Sequence, residues 1–218
     1  MAQLFQPSAD TIAKVALSCL VLIPAVLIGL ALALAHSPYT TDQKIVLTQP
    51  VPFSHEHHAA QLGLDCRYCH TGVERSAYAG LPPTETCMTC HSQIWTNAAM
   101  LAPVRDSFAK AQPIHWQKVH RLPDYVYFDH SVHVAKGVGC TTCHGPVGAM
   151  PLMYQAAPLT MAWCLDCHRS PAKNLRPESD IFLLDWAPPA DQETRGHELL
   201  ASYGIDVAHL IDCSVCHR

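Results

Sequence analysis

The sequence has no glycine-rich phosphate loop, no nucleophile motif and no patch of basic residues. The sequence therefore contains none of the motifs that usually indicate nucleotide-dependent or hydrolytic enzymes. Lysine and arginine number 14 against 18 aspartates and glutamates, which gives a formal net charge of −4. A chain of net negative charge without a basic patch has no surface that attracts phosphates, so we expect no nucleic acid partner.

Charge is also missing from residues 15–35, an uninterrupted apolar run near the N-terminus. At 1.5 Å per residue, a helix of this length crosses a hydrocarbon core of about 30 Å. A cleavable signal is the alternative, since Ala33-Leu34-Ala35 resembles a cleavage site and Lys14 precedes the run. The run exceeds the usual signal core of about 7 to 15 residues. We therefore expect an uncleaved anchor over residues 1–36.

Cysteine, by contrast, is abundant and regularly placed. Ten of the eleven cysteines lie in five copies of Cys-x-x-Cys-His, numbered here as motifs 1 to 5: Cys66-Cys69-His70, Cys87-Cys90-His91, Cys140-Cys143-His144, Cys164-Cys167-His168 and Cys213-Cys216-His217. This pattern attaches c-type haem, because two thiols bond the porphyrin edge and the adjacent imidazole becomes the proximal iron ligand. Five copies predict five covalently attached haem c groups.

Other uses of paired cysteines explain the pattern less well. A zinc site of two Cys-x-x-Cys pairs gives no reason for a histidine after every second cysteine. A thioredoxin-like site uses one pair within a βαβ unit, and a disulfide scaffold does not demand one spacing repeated five times. Covalent haem is therefore the preferred interpretation.

The motifs are arranged as a repeat. Motif starts are separated by 21, 53, 24 and 49 residues, and Phe-x-His-x-x-His precedes motifs 1 and 3, at residues 53–58 and 128–133. We expect a haem domain over residues 37–218, with dihaem modules at about 50–95 and 125–170 and a fifth haem on an extension, residues 171–218. About 37 residues per haem predicts a mostly irregular and α-helical chain wrapped around stacked haems.

The Phe-x-His-x-x-His element resembles that of class III multihaem cytochromes. There, the first histidine ligates the following haem from its distal side, and the second reaches a neighbouring haem. By that resemblance His55 would serve the haem of motif 1 and His130 that of motif 3, while His58 and His133 would cross to other haems. Two imidazoles three residues apart lie on one face of a helical turn.

Four distal ligands leave one iron of the five without a named partner. The candidates are His120 and His115 in the segment before the second module, and Met150, Met153 and Met161. We favour His120 among the histidines, with Met161 and Met150 as the methionine alternatives. A methionine ligand would raise that haem's potential relative to a bis-histidine haem.

Several stretches outside the motifs resemble a more specific family, the membrane-anchored pentahaem cytochrome c subunit of alternative complex III. They include VPFSHEHHAAQLGLDCRYCHTGVE, KVHRLPDYVYFDHSVHVAKGVGCTTCHGPV and PLTMAWCLDCHR. The resemblance implies a non-enzymatic relay that carries electrons from quinol oxidation towards cytochrome c or a copper protein, in a respiratory or photosynthetic chain. Implied partners are an iron-sulfur or molybdopterin-type subunit, a quinol-oxidising membrane subunit and a monohaem cytochrome c.

Localisation follows from haem chemistry, because thioether attachment to paired thiols suits the non-cytosolic side of a membrane. We expect a single-pass protein of the cell membrane with the haem domain on the periplasmic side. The alternative function is a self-contained quinol dehydrogenase, which needs an ionisable residue near a haem to accept quinol protons. A pentahaem nitrite-reductase-like enzyme is disfavoured, since no motif replaces its histidine with lysine.

Overall fold

The computed structural model describes residues 6–217, and these residues form short helices joined by irregular segments. No strand occurs among them, only four isolated bridges between single residues. By contacts between Cα atoms the chain divides into two units, Met1–Asp42 and Gln43–Arg218. The expectation of a mostly helical and irregular chain with one N-terminal apolar helix is confirmed.

The first unit contains helix α1, Pro7–Ala35, and helix α2, Pro38–Thr41. Proline is suited to the first helical position, where its missing N–H is not needed, and α1 continues without a break through Pro24. Residues 8–35 are long and apolar enough to cross a membrane, a property that anchors share with signal sequences. The helix therefore starts well before the apolar run that the sequence identified.

Short helices make up the second unit. The α-helices are α3 Cys66–Cys69, α4 Thr84–His91, α5 Ala102–Lys110, α6 His130–Ala135, α7 Cys140–His144, α8 Met161–Arg169, α9 Gln192–Ser202 and α10 Cys213–Cys216. A π-helix spans Glu56–Gln61, and 3₁₀ turns span Ala99–Leu101, Val147–Ala149, Pro171–Asn174, Glu178–Asp180 and His209–Ile211. The longest of these helices has only eleven residues, so tertiary contacts must hold this unit together.

The protein side chains alone form a sparse core. Among the described residues, the buried apolar ones are Val51, Val73, Leu101, Val104, Met150, Ala157, Ala172, Leu175 and Ile181. A domain of this length normally buries a much larger set. The scarcity fits an interior that is completed by large apolar cofactors.

Arg176 is the most unusual buried side chain, with 1% of its surface exposed. Its guanidinium donates to the hydroxyls of Thr141 and Thr142 and to the carbonyl of Asp180, at 3.0–3.3 Å. It also stacks over the Trp186 ring, 4.1 Å from the ring centre. These contacts fix the guanidinium beside motif 3.

We expect the substitution Gly139→Ala to destabilise the haem-loaded protein by about 1–3 kcal/mol, the range for overpacking a core. A Cβ at Gly139 would overlap the Arg176 guanidinium, and the bonds of Arg176 to α7 prevent it from moving away. The measurement is unfolding by guanidinium chloride, monitored by near-ultraviolet circular dichroism.

Gly148→Ala provides the matched control in the same unit. Its Cβ would meet the flexible Leu184 side chain at 3.2 Å and the Ala60 methyl at 3.4 Å, which can yield by a few tenths of an ångström. Equal stability of the two variants would contradict the role assigned to Arg176.

Candidate haem centres

Each Cys-x-x-Cys-His motif lies on a helical turn, with motifs 1 to 5 on α3, α4, α7, α8 and α10. Residues i and i+3 of a helix lie on the same face. The two thiols of each motif therefore emerge together, and the histidine follows directly after the second one. This is the local arrangement that thioether attachment and proximal ligation require.

Four of the five motif histidines face a histidine from a Phe-x-His-x-x-His element. The separations between ring centres are 6.4 Å for His55–His70, 6.2 Å for His58–His91, 6.3 Å for His130–His144 and 6.2 Å for His133–His168. In the first and third of these pairs the ring planes are parallel within 9°. Both repeats therefore present the same arrangement of paired imidazoles.

The separations fit one iron between each pair. An imidazole nitrogen lies about 2 Å from a bound metal and the ring centre roughly 1 Å further, so two opposed ligands place their ring centres roughly 6 Å apart. In residues 6–217, no group of three or more His, Cys, Asp or Glu side chains converges as a zinc site would need. The donor set suits haem, with one imidazole on each side of the iron.

Four of the eight paired histidines have lowered pKa values, which favour the neutral form that binds iron. Burial, helped by the nearby His70, lowers the pKa of His55 to about 4. Burial and the neighbouring His120 lower the pKa of His144 to about 3. Burial also lowers the pKa values of His58 and His133. A neutral ring keeps a lone pair free for a metal at physiological pH.

In space, the five motifs lie next to one another in the order 2, 1, 3, 4, 5. Their cysteines lie close enough to interact electrostatically in the pairs Cys69 with Cys87, Cys66 with Cys140, Cys143 with Cys164, and Cys164 with Cys216. The two modules therefore meet through motifs 1 and 3, the first motif of each.

Comparisons with known families agree with this geometry. The model of the class III cytochrome c family matches residues 32–102, which contain motifs 1 and 2. The model described as cytochrome c7 and related cytochrome c matches residues 126–218, which contain motifs 3 to 5. Each model covers less than half of the chain, and the matches show similarity to these two cytochrome c families over residues 32–102 and 126–218.

A curated relative of this chain is the multihaem cytochrome c subunit of menaquinone reductase from Nitratidesulfovibrio vulgaris. The two are 31% identical over 120 residues, which are 54% of this chain and 56% of the relative. The chain thus spans about half the length of the relative it matches. The similarity supports electron transfer by covalently bound c-type haem.

In the second module, Asp129 and Phe128 position the two histidines that the sequence predicts as distal ligands. The Asp129 carboxylate accepts hydrogen bonds from the first backbone N–H groups of α6, as favourable N-cap residues do. Phe128 stacks on His133, with ring centres 4.4 Å apart, and packs edge-on against His130 at 4.8 Å. One aromatic ring thus orients both imidazoles.

The first module repeats these contacts on a different helix type. Phe53 stacks on His58 at 4.3 Å and packs edge-on against His55 at 5.0 Å, while the Ser54 hydroxyl accepts from the His57 N–H. These histidines lie at the start of the π-helix, a form frequent at functional sites. Sequence reasoning missed the roles of the Phe and of the Ser or Asp after it, although a capping residue there is a readable signal.

Hydrogen bonds at Nδ1 set the orientation of most ligand rings. Among the distal histidines, backbone carbonyls lie 2.7–2.9 Å from Nδ1 of His58, His130 and His133, whereas Nδ1 of His55 is buried without a partner in the described chain. A carbonyl accepts only from N–H, so the proton is on Nδ1 and Nε2 is free to bind iron. The carbonyl for His130 is that of Ala77, which lies in the first module.

The fifth motif differs from the other four. The His217 ring lies beside Tyr125, with ring centres 5.8 Å apart, and its Nδ1 lies 3.2 Å from the Tyr125 carbonyl. Of the residues predicted for the fifth distal position, His120 contacts His144, Met150 is fully buried, and Met161 is 62% exposed. The distal ligand of the motif 5 haem therefore stays a prediction from the sequence.

We expect His133→Ala to convert one haem from low-spin to high-spin, because the iron opposite His168 would lose its second imidazole. Electron paramagnetic resonance of the oxidised protein should show about one haem equivalent fewer of low-spin signal. His57→Ala is the control, since His57 is exposed and bonded to Gln61. An unchanged low-spin count in the His133 variant would exclude His133 as a ligand.

Proposed function

We propose that this cytochrome is an electron relay with five covalently attached haems, in a membrane complex that exchanges electrons with quinone. The observation that carries the proposal is the histidine pairing at motifs 1 to 4. With an imidazole on each side, an iron has no free position for substrate. Such centres suit electron transfer and do not suit chemistry at the metal.

The haem iron, when bound, supplies the ability to take up and release one electron. The residues of the chain hold it in a fixed coordination, so that little reorganisation accompanies each transfer. Phe53 and Phe128 keep the distal rings in place, and burial lowers the pKa values of His55, His58 and His133, which favours their neutral forms. The contacts between cysteines support an electron path that runs through the motifs in the order 2, 1, 3, 4, 5.

Helix α1 supports a membrane location. Its side chains over residues 11–35 are exposed in the structure, as lipid-facing residues of a single anchor would be. We propose that α1 remains as the anchor and that the haem domain lies on the periplasmic side, where thioether attachment is favoured.

The resemblance to alternative complex III favours flow from quinol towards a cytochrome c or copper protein. Partners would then be an iron-sulfur or molybdopterin-type subunit, a quinol-oxidising membrane subunit and a monohaem cytochrome c. The similarity to a menaquinone reductase subunit supports the same kind of relay with electrons flowing into menaquinone. Both assign this chain the same role, between a quinone site on another subunit and a second redox partner.

A cavity next to motif 2 favours a second candidate, a self-contained quinol dehydrogenase. The cavity has a volume of about 440 Å³ and includes Leu81, Ile114 and Trp116 with the carboxylate of Glu85. Its size and mixed lining are typical of small-molecule sites. Glu85 would be the acceptor of the quinol proton in this case.

The two candidates are separated by adding menaquinol to the oxidised, detergent-solubilised chain and recording reduced c-haem absorbance. We expect slow reduction of the isolated chain and fast reduction of the same chain within its membrane complex, because the quinone site lies on another subunit. Stopped-flow spectroscopy at matched haem concentrations gives both rates.

Fast reduction of the isolated chain would instead favour the dehydrogenase. In that case Glu85→Gln should slow the reduction, because an amide cannot accept the proton, whereas Glu56→Gln, on the π-helix and away from this cavity, should leave the rate unchanged.

A further inference from the structure

The proximal histidines differ in what their Nδ1 atoms contact. Backbone carbonyls lie 2.7–3.3 Å from Nδ1 of four of them, in the pairs His70 with Gly80, His91 with Ile94, His168 with Leu210 and His217 with Tyr125. At motif 3 the contact is another side chain, because Nδ1 of His144 lies 3.2 Å from Nε2 of His120. Motif 3 is thus the exception in an otherwise uniform set.

The position of His120 is well supported by its surroundings. Its ring packs edge-on against that of His144, with centres 4.3 Å apart and planes at 77°. Three residues earlier the chain is fixed by two bonds between Gln49 and Gln117, each 2.9 Å long and one in each direction. This places Nε2 of His120 where it can accept a hydrogen bond from Nδ1–H of His144.

The direction of this hydrogen bond follows from ligation. His144 presents Nε2 to iron, so its proton is on Nδ1, and Nδ1–H donates to Nε2 of His120. An imidazole nitrogen is a far more basic acceptor than an amide carbonyl. It draws the proton outward and increases electron density on the ligating nitrogen of His144, which stabilises ferric over ferrous iron.

We propose that His120 is a positioning residue that holds His144 and lowers the reduction potential of the motif 3 haem relative to the potential that a carbonyl acceptor would give. The inference rests on the proposed function, since it requires a haem at motif 3. It also assigns His120 a role other than the distal ligation that the sequence favoured. The atom that would bind iron, Nε2, is occupied by the bond to His144.

The test is a pair of substitutions in the full, haem-loaded chain. His120→Gln replaces the imidazole acceptor with an amide carbonyl, as at the other motifs, and His120→Leu removes the acceptor. We expect one midpoint potential to rise in the Gln variant and to rise further in the Leu variant, with all haems still low-spin. Potentiometric titration and electron paramagnetic resonance give the two readouts, and the exposed His197, changed to Gln, is the control.

Two results would overturn the inference. Unchanged potentials in both variants would show that the bond does not influence the haem, and a new high-spin signal in the Leu variant would make His120 an axial ligand. If the Leu variant does not load haem, the Gln variant decides alone, by a raised or an unchanged potential. Loss of haem from the unaltered chain would instead contradict the proposed function, so the two failures are distinguishable.

Discussion

Everything in residues 43–218 depends on holding two imidazole rings with their centres about 6 Å apart and their planes nearly parallel. Bound iron would require that separation, and contacts within the protein already provide it. A phenylalanine orients both distal rings, a capping residue starts the helical turn, and backbone carbonyls fix most of the tautomers. Because these devices are local, a chain of short helices can build several centres without a large core.

Hydrogen bonds to backbone carbonyls also join the modules. The carbonyl of Ala77 in the first module accepts from His130 in the second, and the Tyr127 N–H in the second donates to the carbonyl of Cys216 in the tail. Ligand geometry in one module therefore depends on the backbone of another. Such a structure should form as a unit together with its cofactors, since few buried apolar side chains would hold it otherwise.

Motif spacing and the Phe-x-His-x-x-His repeat carried most of the information that a sequence can give. They predicted a helical and irregular fold, which is confirmed. The structure pairs His55 with His70 and His130 with His144, and the ligand roles of these histidines stay predictions. The Nδ1 partners could not be predicted, because a backbone carbonyl has no sequence signature and its position depends on tertiary contacts. Arg176 was missed for a related reason: its hydroxyl and carbonyl partners lie mostly on other elements.

Motif 3 is the centre of the neighbour order, and a buried cation lies beside it. The Arg176 guanidinium lies near Cys140 and Cys143, and a buried cation favours the ferrous state by lowering the cost of an added electron. His120 acts in the opposite direction through His144. A haem at the middle of a relay needs a reduction potential low enough to release its electron and high enough to be reduced. The opposing effects of Arg176 and His120 keep the potential of the motif 3 haem within that range. At motif 3 the side chain of His120 contacts Nδ1 of the motif histidine, where the other motifs have a backbone carbonyl. Because motif 3 joins the two modules in the proposed electron path, its haem takes part in every electron transfer between them.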